Sequence, residues 1–166
     1  LDTLDPGDGI ALDGKMMSAA QVKKYRAGFE EKEIDLYSSL DLISDLWKDR
    51  PPMPSTRAFV LDTIYAGKTR TEKLDKIRGK MRDNGADVHL MTALDDIAWT
   101  FNLRGNDVHT NPVNLAFALI TRDQSQLFIN PDKLDQTVTD DLGLDGIRLE
   151  PYDGIDGALV GLDEGE

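Results

Sequence analysis

Three prolines stand within four positions of the chain, at Pro51, Pro52 and Pro54. A proline fixes φ near about −65° and lacks a backbone N–H, so neither a helix nor a central strand can continue through this segment. The residue before a proline is also held out of the helical region. Residues 50–57 are therefore predicted to form a stiff, extended connector between two folded parts of the chain.

Residues 1–50 predict the order strand, helix, strand, helix. Ser18 and Gln21 have the spacing of a capping box at a helix start. The helix that follows has an apolar face at helical spacing, formed by Val22, Tyr25 and Phe29. Short strands are predicted at Ile10–Leu12 and Ile34–Tyr37, and a second, shorter helix has its apolar face at Leu42, Ile43, Leu46 and Trp47.

After the connector, the sequence predicts an extended segment and then a second unit. An extended segment is predicted at Phe59–Leu61, and a helix at Thr71–Asn84, which Gly85 ends in a left-handed conformation. The apolar face of this helix consists of Leu74, Ile77 and Met81, and its basic outer surface is predicted to consist of Lys73, Lys76, Lys80 and Arg82. The apolar run Val88–Met91 predicts a strand.

The remainder of the chain predicts further alternation of helix and strand. A short helix is expected at Leu94–Phe101, a β-hairpin from Leu115–Thr121 and Gln126–Ile129, and a strand at Ile147–Leu149. Helices that alternate with strands, together with one hairpin, predict an α/β fold with a mixed β-sheet that is flanked by helices on both faces.

The net charge of −12 lies at the two ends of the chain. Residues 1–17 carry a net −3 and residues 132–166 a net −9, whereas the stretch between them has sixteen charges of each sign. This distribution predicts a balanced globular middle with acidic flanks. The acidic excess argues against nucleic acid as a partner, because little positive charge is available to replace phosphate counterions.

Composition excludes other classes of protein. The absence of cysteine excludes disulfides and thiolate metal sites and favours a cytoplasmic protein. No stretch approaches the ~18 apolar residues of a membrane helix, so a membrane is not expected as a partner. The chain begins with Leu1, and no basic-then-apolar signal segment follows it, so we expect an excised or processed piece of a longer protein.

The sequence contains no recognisable catalytic motif. G-x-S-x-G, H-E-x-x-H, P-loop and G-x-G-x-x-G patterns are absent. Of the two histidines, His89 lies in a predicted strand and His109 in a polar loop, two residues after Asp107. Two candidate ligands at this spacing are a weak signal, because a stable metal site has three or four protein ligands. We therefore predict no catalytic residue and no metal site in this chain.

The most unusual stretch is residues 94–107, which combines acids, aromatics, an arginine and a glycine. Trp99 and Phe101 are two positions apart and cannot share a helix face. Two interpretations remain open for this stretch. It forms a loop that contacts a ligand, another domain or another subunit, or it forms a helix C-cap in which Arg104 pairs with Asp95, Asp96 or Asp107.

The same stretch carries a resemblance to a known family. The sequence TALDDIAWTFNLRGND at residues 92–107, followed by Asn111-Pro112-Val113, closely resembles a segment of Xaa-Pro aminopeptidases (aminopeptidase P). In three-domain members, this segment belongs to the second non-catalytic domain, of the creatinase/prolidase N-terminal type. Weaker similarities occur in the same order along residues 9–155, at WKDRPP (47–52), YAGK (65–68), the helix 73–82, LFI (127–129) and PYD (151–153).

The resemblance implies a larger parent enzyme. Members of that family remove an N-terminal residue that precedes proline. They use two divalent metals, usually manganese, held by two Asp, one His and two Glu of a C-terminal "pita-bread" domain. No part of this chain matches those metal-binding motifs, so we expect the segment to be inactive alone. The resemblance favours an aminopeptidase P parent over prolidase or creatinase, because of the second-domain motif.

The resemblance also implies a domain organisation. Residues 1–52 resemble the tail of the first N-terminal domain, residues 53–68 a Pro-rich linker and extended segment, and residues 69–166 an incomplete second domain. We expect residues 1–50 to pack on residues 70–155, in one compact unit or across partners, because their amphipathic faces must be buried.

Two functions from different classes follow. The first is a non-catalytic N-terminal region of a metalloaminopeptidase that shapes substrate access and supports dimerisation, with the C-terminal catalytic domain and a second subunit as partners. Residues expected at substrate access or at an interface are Trp99, Asn102, Arg104, Asp107 and His109. The alternative is a free-standing α/β binding or scaffold module without peptidase activity.

Overall fold

The chain divides into two compact units, Leu1–Pro52 and Met53–Glu166, in a computed structural model that describes residues 3–41 and 43–163. The boundary between the units falls within the proline cluster. No helix of the described residues is long and apolar enough to cross a membrane.

The first unit is built on a β-α-β arrangement. Strands β1 (Gly9–Ala11) and β2 (Asp35–Tyr37) pair in parallel, and helix α1 (Ala19–Glu30) connects them. Ser18 caps α1 with the predicted capping box, and the Tyr25 and Phe29 rings stack at 6.1 Å between centroids. The two strands and this helix confirm the sequence predictions.

The second helix predicted in the first unit is wrong. Residues 43–50 form turns, and Leu42 lies outside the described residues. The Asp41 carboxylate accepts hydrogen bonds from the backbone N–H groups of Ile43 and Ser44, at 3.1 and 2.9 Å, and begins a turn there. The prolines that follow leave room for little more than one helical turn, and so short a helix does not recover the cost of its nucleation.

The second unit contains five helices and six strands among its described residues. The strands are β3 (Phe59–Val60), β4 (Val88–Met91), β5 (Leu103–Arg104), β6 (Ala116–Thr121), β7 (Ser125–Ile129) and β8 (Ile147–Pro151). The helices are α2 (Thr63–Ala66), α3 (Arg70–Asp83), α4 (Leu94–Thr100), α5 (Gln136–Leu144) and α6 (Ile155–Asp163). The sequence predicted all of these except α2, β5, α5 and α6.

The main sheet has the order β4-β6-β7-β8. β4 and β7 both pair antiparallel with β6, and β8 pairs in parallel with β7 after the crossover through α5. A separate antiparallel pair joins β3 to β5. The predicted hairpin is therefore confirmed as β6–β7, and the sheet is mixed.

Helices cover both faces of this sheet. Alternate residues of β6 point to opposite sides, with Ala118 and Ile120 in one core and Leu119 in the other. The larger core also contains Leu74 and Met81 from α3 and Val138 and Leu142 from α5, whereas the smaller core contains Ile155 from α6. The predicted α/β class, with a mixed sheet flanked by helices on both faces, is confirmed.

The prediction of an acidic flank at residues 132–166 is wrong for its described part. Within that segment, α5, β8 and α6 bury Val138, Leu142, Ile147 and Ile155. Asp140 of α5 and Asp156 of α6 are exposed, and Asp141 of α5 pairs with Arg70 of α3. The net charge of the segment therefore did not reveal the amphipathic pattern of these helices. Residues 53–68 likewise supply β3 and α2, and Ala58 in that stretch is buried in the larger core.

Candidate functional site

The candidate site begins where α4 ends. Asn102 follows the helix with a left-handed backbone, at φ +48°, a conformation that asparagine tolerates better than most residues. Its backbone carbonyl accepts a hydrogen bond from Leu61 N–H at 2.7 Å, and its side-chain amide donates to the Lys68 carbonyl at 2.9 Å. Asn102 therefore joins the end of α4 to the segments before and after α2.

A buried lysine lies beside Asn102. The side chain of Lys73 is on α3, is only 1% exposed, and donates to the Asn102 side-chain oxygen and to the Trp99 carbonyl at 2.8 Å. Its ammonium also lies 4.6 Å from the centre of the Trp99 ring. No carboxylate of the described residues pairs with it, and burial, followed by the nearby Arg104 guanidinium, lowers the pKa of Lys73.

Lys73 corrects the prediction of a basic outer surface on α3. Lys76, Lys80 and Arg82 are exposed as predicted, but Lys73 points inward. The sequence contained the signal, because Lys73 stands four positions before Ile77 and shares its helix face. The side chain is held there by a carbonyl, an amide oxygen and an aromatic ring.

Arg104 closes the end of α4. Its guanidinium donates to the Ala98 carbonyl and, at 3.2 Å, to the Leu103 carbonyl. Burial lowers the pKa of this guanidinium. The predicted pairing of Arg104 with Asp95, Asp96 or Asp107 is wrong, because the guanidinium binds the backbone carbonyls of Ala98 and Leu103 instead.

After Arg104 the chain makes a loop, residues 105–113, that is closed at its base by backbone contacts. The amide N–H groups of Gly105 and Asp107 donate to the carbonyls of Pro112 and Val113, at 3.3 and 3.2 Å. A Cβ at Gly105 would lie 2.0 Å from the Asn114 side-chain oxygen, so a larger residue here would force the buried Asn114 side chain to move. We refer to residues 105–113 as the anchored loop.

A buried ion pair also stabilises the base of the anchored loop. The Asp107 carboxylate accepts from the Lys133 ammonium and from the Leu115 N–H at 2.7 Å, and Lys133 also donates to the Thr56 carbonyl at 2.8 Å. The charged side chains are 0% and 1% exposed. The Asp107 carboxylate is fully engaged in these contacts and is not free to bind a ligand.

The tip of the anchored loop is exposed. Val108, His109 and Thr110 lie at the surface, and Thr110 has a positive φ of +67°. Near the tip, the Asn111 amide donates to Asp95 at 3.1 Å. An exposed tip on a fixed base is the usual form of a contact loop.

The five residues singled out from the sequence thus have different surroundings. Trp99, Asn102 and Arg104 come together around Lys73, whereas Asp107 is in the second buried cluster and His109 is at the loop tip. Asn102, Arg104 and Asp107 are occupied by internal bonds. Of the five, Trp99 and His109 are exposed and Arg104 is half-buried, whereas Asn102 and the side chain of Asp107 are buried.

Sequence reasoning did not identify Lys73 and Lys133 as members of these clusters. Across residues 3–41 and 43–163, no group of three or more His, Asp or Glu side chains is placed to hold a metal ion. The described residues therefore do not fit the dimetal centre that the resemblance implied for a parent enzyme. Their arrangement fixes the backbone beneath the anchored loop and can orient the surface that the loop presents.

A comparison with protein families identifies the domain type. The sequence profile of the Creatinase/Prolidase N-terminal domain family matches residues 49–166, which include the whole 92–113 motif. The chain belongs to this family. The creatinase-type match covers both buried clusters and the anchored loop.

Relatives of this creatinase-type domain are Xaa-Pro aminopeptidases. The chain is 36% identical over 165 residues to "Aminopeptidase P2" of Arabidopsis thaliana, which covers 98% of this chain and 23% of that protein. It is 37% identical to a "Probable Xaa-Pro aminopeptidase P" of Neurospora crassa, with 90% of this chain and 22% of that protein covered. The chain thus spans about a quarter of the length of these relatives.

A solved structure has the same fold. The X-prolyl aminopeptidase of Caenorhabditis elegans, described as a cytosolic enzyme with a di-nuclear active site, superposes with a TM-score of 0.85. The match covers 98% of this chain and 27% of that chain at 23% identity. The resemblance stated from the sequence is confirmed at the level of family and fold.

Proposed function

We propose that this chain is the non-catalytic N-terminal region of a dimetal Xaa-Pro aminopeptidase, and that it shapes substrate access and supports dimerisation. In that enzyme, two divalent metals, manganese by expectation, belong to a C-terminal catalytic domain. The partners are that domain of the same polypeptide and a second subunit. The cellular location that goes with this function is the cytoplasm.

The anchored loop is the observation that carries the proposal. Its base is fixed by Gly105 against Asn114 and by the buried pair of Asp107 and Lys133. Its tip presents His109 to the outside. A loop whose backbone is held in this way can position a side chain against another domain without a large loss of conformational entropy on contact.

The similar proteins support the assignment of a non-catalytic part. Their names refer to aminopeptidases about four times as long as this chain, and the family matched over residues 49–166 is an N-terminal domain. The described residues contribute no metal cluster, so the chemistry of such an enzyme would lie elsewhere in the polypeptide.

The first test concerns the chemistry. The purified 166-residue chain is incubated with an Xaa-Pro peptide, with and without manganese, and released amino acid is measured. We expect no cleavage, and measurable turnover would overturn the assignment of a non-catalytic region. The reading frame downstream of Glu166 is a second test: an Asp, Asp, His, Glu, Glu ligand set supports the proposal, whereas a stop codon supports a free-standing binding module.

The second test concerns access and assembly. In the full-length enzyme, His109→Ala is expected to change KM for an Xaa-Pro peptide several-fold, to weaken the dimer, or to do both, because it removes the side chain at the loop tip. Gln136→Ala, a change at an exposed position of α5 outside the anchored loop, is the control. Steady-state kinetics and sedimentation measure the two effects, and unchanged KM and unchanged dimer in His109→Ala would refute the assigned role.

A further inference from the structure

A groove of about 400 Å³ lies between the second half of α3 and the start of the main sheet. Its apolar part is formed by Ile77, Met81 and Trp99. Lys76 and Lys80 stand at its rim, one helical turn apart, and His89 of β4 lines it from the sheet. None of its lining residues belongs to the anchored loop.

The charge of this groove is opposite to that of the chain. The protein carries a net −12, yet the charged residues that line the groove are both lysines, and no carboxylate is among them. Lys76 and Lys80 are exposed and make no ion pair with the described residues. An occupant with carboxylates beside an apolar group would complement both parts of the groove.

The wall formed by Trp99 is held in place. Trp99 is 41% exposed, although its carbonyl and its ring are both in contact with the buried ammonium of Lys73. A cation close to an indole ring is attracted to it, and this attraction is stronger when the cation is desolvated. The apolar wall is therefore organised before any partner arrives, which lowers the entropic cost of binding.

The groove also borders a free sheet edge. β4 is the first strand of the order β4-β6-β7-β8, and its outer side pairs with no other strand in the described parts of the chain. An extended peptide can lie along such an edge, which favours a peptide over a compact small molecule as the occupant.

We propose that this groove is a docking site for an extended acidic segment of a partner protein. One large apolar side chain of the segment would sit against Trp99, and carboxylates on either side of it would pair with Lys76 and Lys80. The inference goes beyond the proposed function, because it holds whether or not the chain is part of a peptidase.

The test uses the fluorescence of Trp99 to report binding of a peptide in the groove. The chain contains two tryptophans, so Trp47→Phe in the 166-residue protein leaves Trp99 as the single emitter. Its fluorescence is titrated with the acetylated, amidated peptide EEFEE, and with the peptides KKFKK and EEAEE as controls. We expect EEFEE to bind at least about tenfold more tightly than either control peptide. Its affinity should fall as salt is added, because exposed charge pairs are screened.

Charge reversal at the rim supplies the matched comparison. Lys76→Glu with Lys80→Glu is expected to weaken EEFEE binding by at least about tenfold, because two attractions become two repulsions. Lys23→Glu with Lys24→Glu makes the same charge change on exposed positions of α1 and is expected to leave the affinity within about twofold. If the reversed variant is unfolded by circular dichroism, Lys76→Gln with Lys80→Gln tests the same contacts.

Several results would overturn the proposal. One is equal binding of EEFEE and either control peptide, and another is equal affinity in the rim variant and the α1 variant. Phenylacetate that binds as tightly as EEFEE would indicate a site for a small anion instead. Concentration-dependent dimerisation that shields Trp99 and is lost in the rim variant would identify a second copy of this chain as the occupant.

Discussion

Replacement of Asp107 by alanine is expected to destabilise the second unit strongly. Asp107 is the only carboxylate that pairs with Lys133 in the described structure, and both side chains are buried. After Asp107→Ala, the Lys133 ammonium keeps only its hydrogen bond to the Thr56 carbonyl, at 2.8 Å. A buried charge is then left without a counterion, which is far more costly than the loss of one hydrogen bond.

The size of the effect follows from that uncompensated charge. Removal of one partner from a buried pair costs about 3–5 kcal/mol, a large share of the roughly 5–15 kcal/mol by which a domain is stable. For a unit of this size, 1 kcal/mol corresponds to about 4 °C, so the second unit should melt about 12–20 °C lower. Lys133→Met should cost a similar amount, because it leaves the Asp107 carboxylate buried with only the Leu115 N–H.

Urea unfolding of the 166-residue chain measures these differences. The double variant Asp107→Ala with Lys133→Met should cost clearly less than the sum of the two single changes, because it leaves no buried charge. Asp87→Ala is the matched control, since Asp87 pairs with Arg122 at the surface, where both side chains are more than half exposed. That control should cost about 1 kcal/mol or less.

Two outcomes would refute the reasoning about this pair. The first is a cost for Asp107→Ala no larger than that for Asp87→Ala. The second is strict additivity in the double variant, since it would mean that the buried carboxylate and ammonium do not stabilise each other. Either result would mean that the ion pair does not stabilise the anchored loop.

Three further predictions concern other positions. Gly105→Ala should lower the free energy of unfolding by about 1–3 kcal/mol in urea titrations, because the new Cβ meets Asn114. Gly79→Ala, in α3, where a Cβ makes only an ordinary contact of 3.8 Å with the Arg82 side chain, should raise the free energy of unfolding by about 0.5–1 kcal/mol. Equal effects of the two changes would contradict the close contact at Gly105. Ser18→Ala should lower the stability of the first unit by about 1 kcal/mol, because it removes the cap of α1, whereas Ser18→Asp should keep most of that stability. Circular dichroism of the helical signal during unfolding measures both effects. Because the pKa of Lys73 is lowered in the folded chain, the unfolded chain binds more protons than the folded chain between that pKa and the ordinary value of 10.5. The free energy of unfolding should therefore rise with pH in this window, and Lys73→Met should lack the rise. Identical pH profiles of the two proteins would show that the pKa of Lys73 is not lowered.

Local signals were sufficient for much of the fold. The capping box of Ser18 and Gln21 gave the start of α1, and the two apolar runs around residues 122–124 gave the β6–β7 hairpin. Both depend on residues a few positions apart, so the sequence carries them directly. Pairing of β8 with β7 requires α5 as its crossover, and α5 was missed because its acids masked the spacing of Val138 and Leu142.

The sequence identified several residues of the candidate site, but it did not show which residues they contact or what those contacts do. Asn102, Arg104 and Asp107 stood out as an unusual cluster, and the structure places each of them at a point that fixes the chain. Their partners could not be found from spacing, since Lys73 lies 29 positions before Asn102 and Lys133 lies 26 positions after Asp107. Only the tertiary fold brings such charges together, and burial then decides whether they bind each other or a ligand.

The contacts of Lys133 also bear on how fast the second unit unfolds. This lysine joins Asp107 to the Thr56 carbonyl, which is 77 positions earlier in the chain. We expect these contacts to form late in folding, because a long loop must close first. Late contacts slow unfolding and have little effect on the folding rate. We therefore expect this single buried ammonium to set much of the lifetime of the native unit, and with it the resistance of the region to proteases.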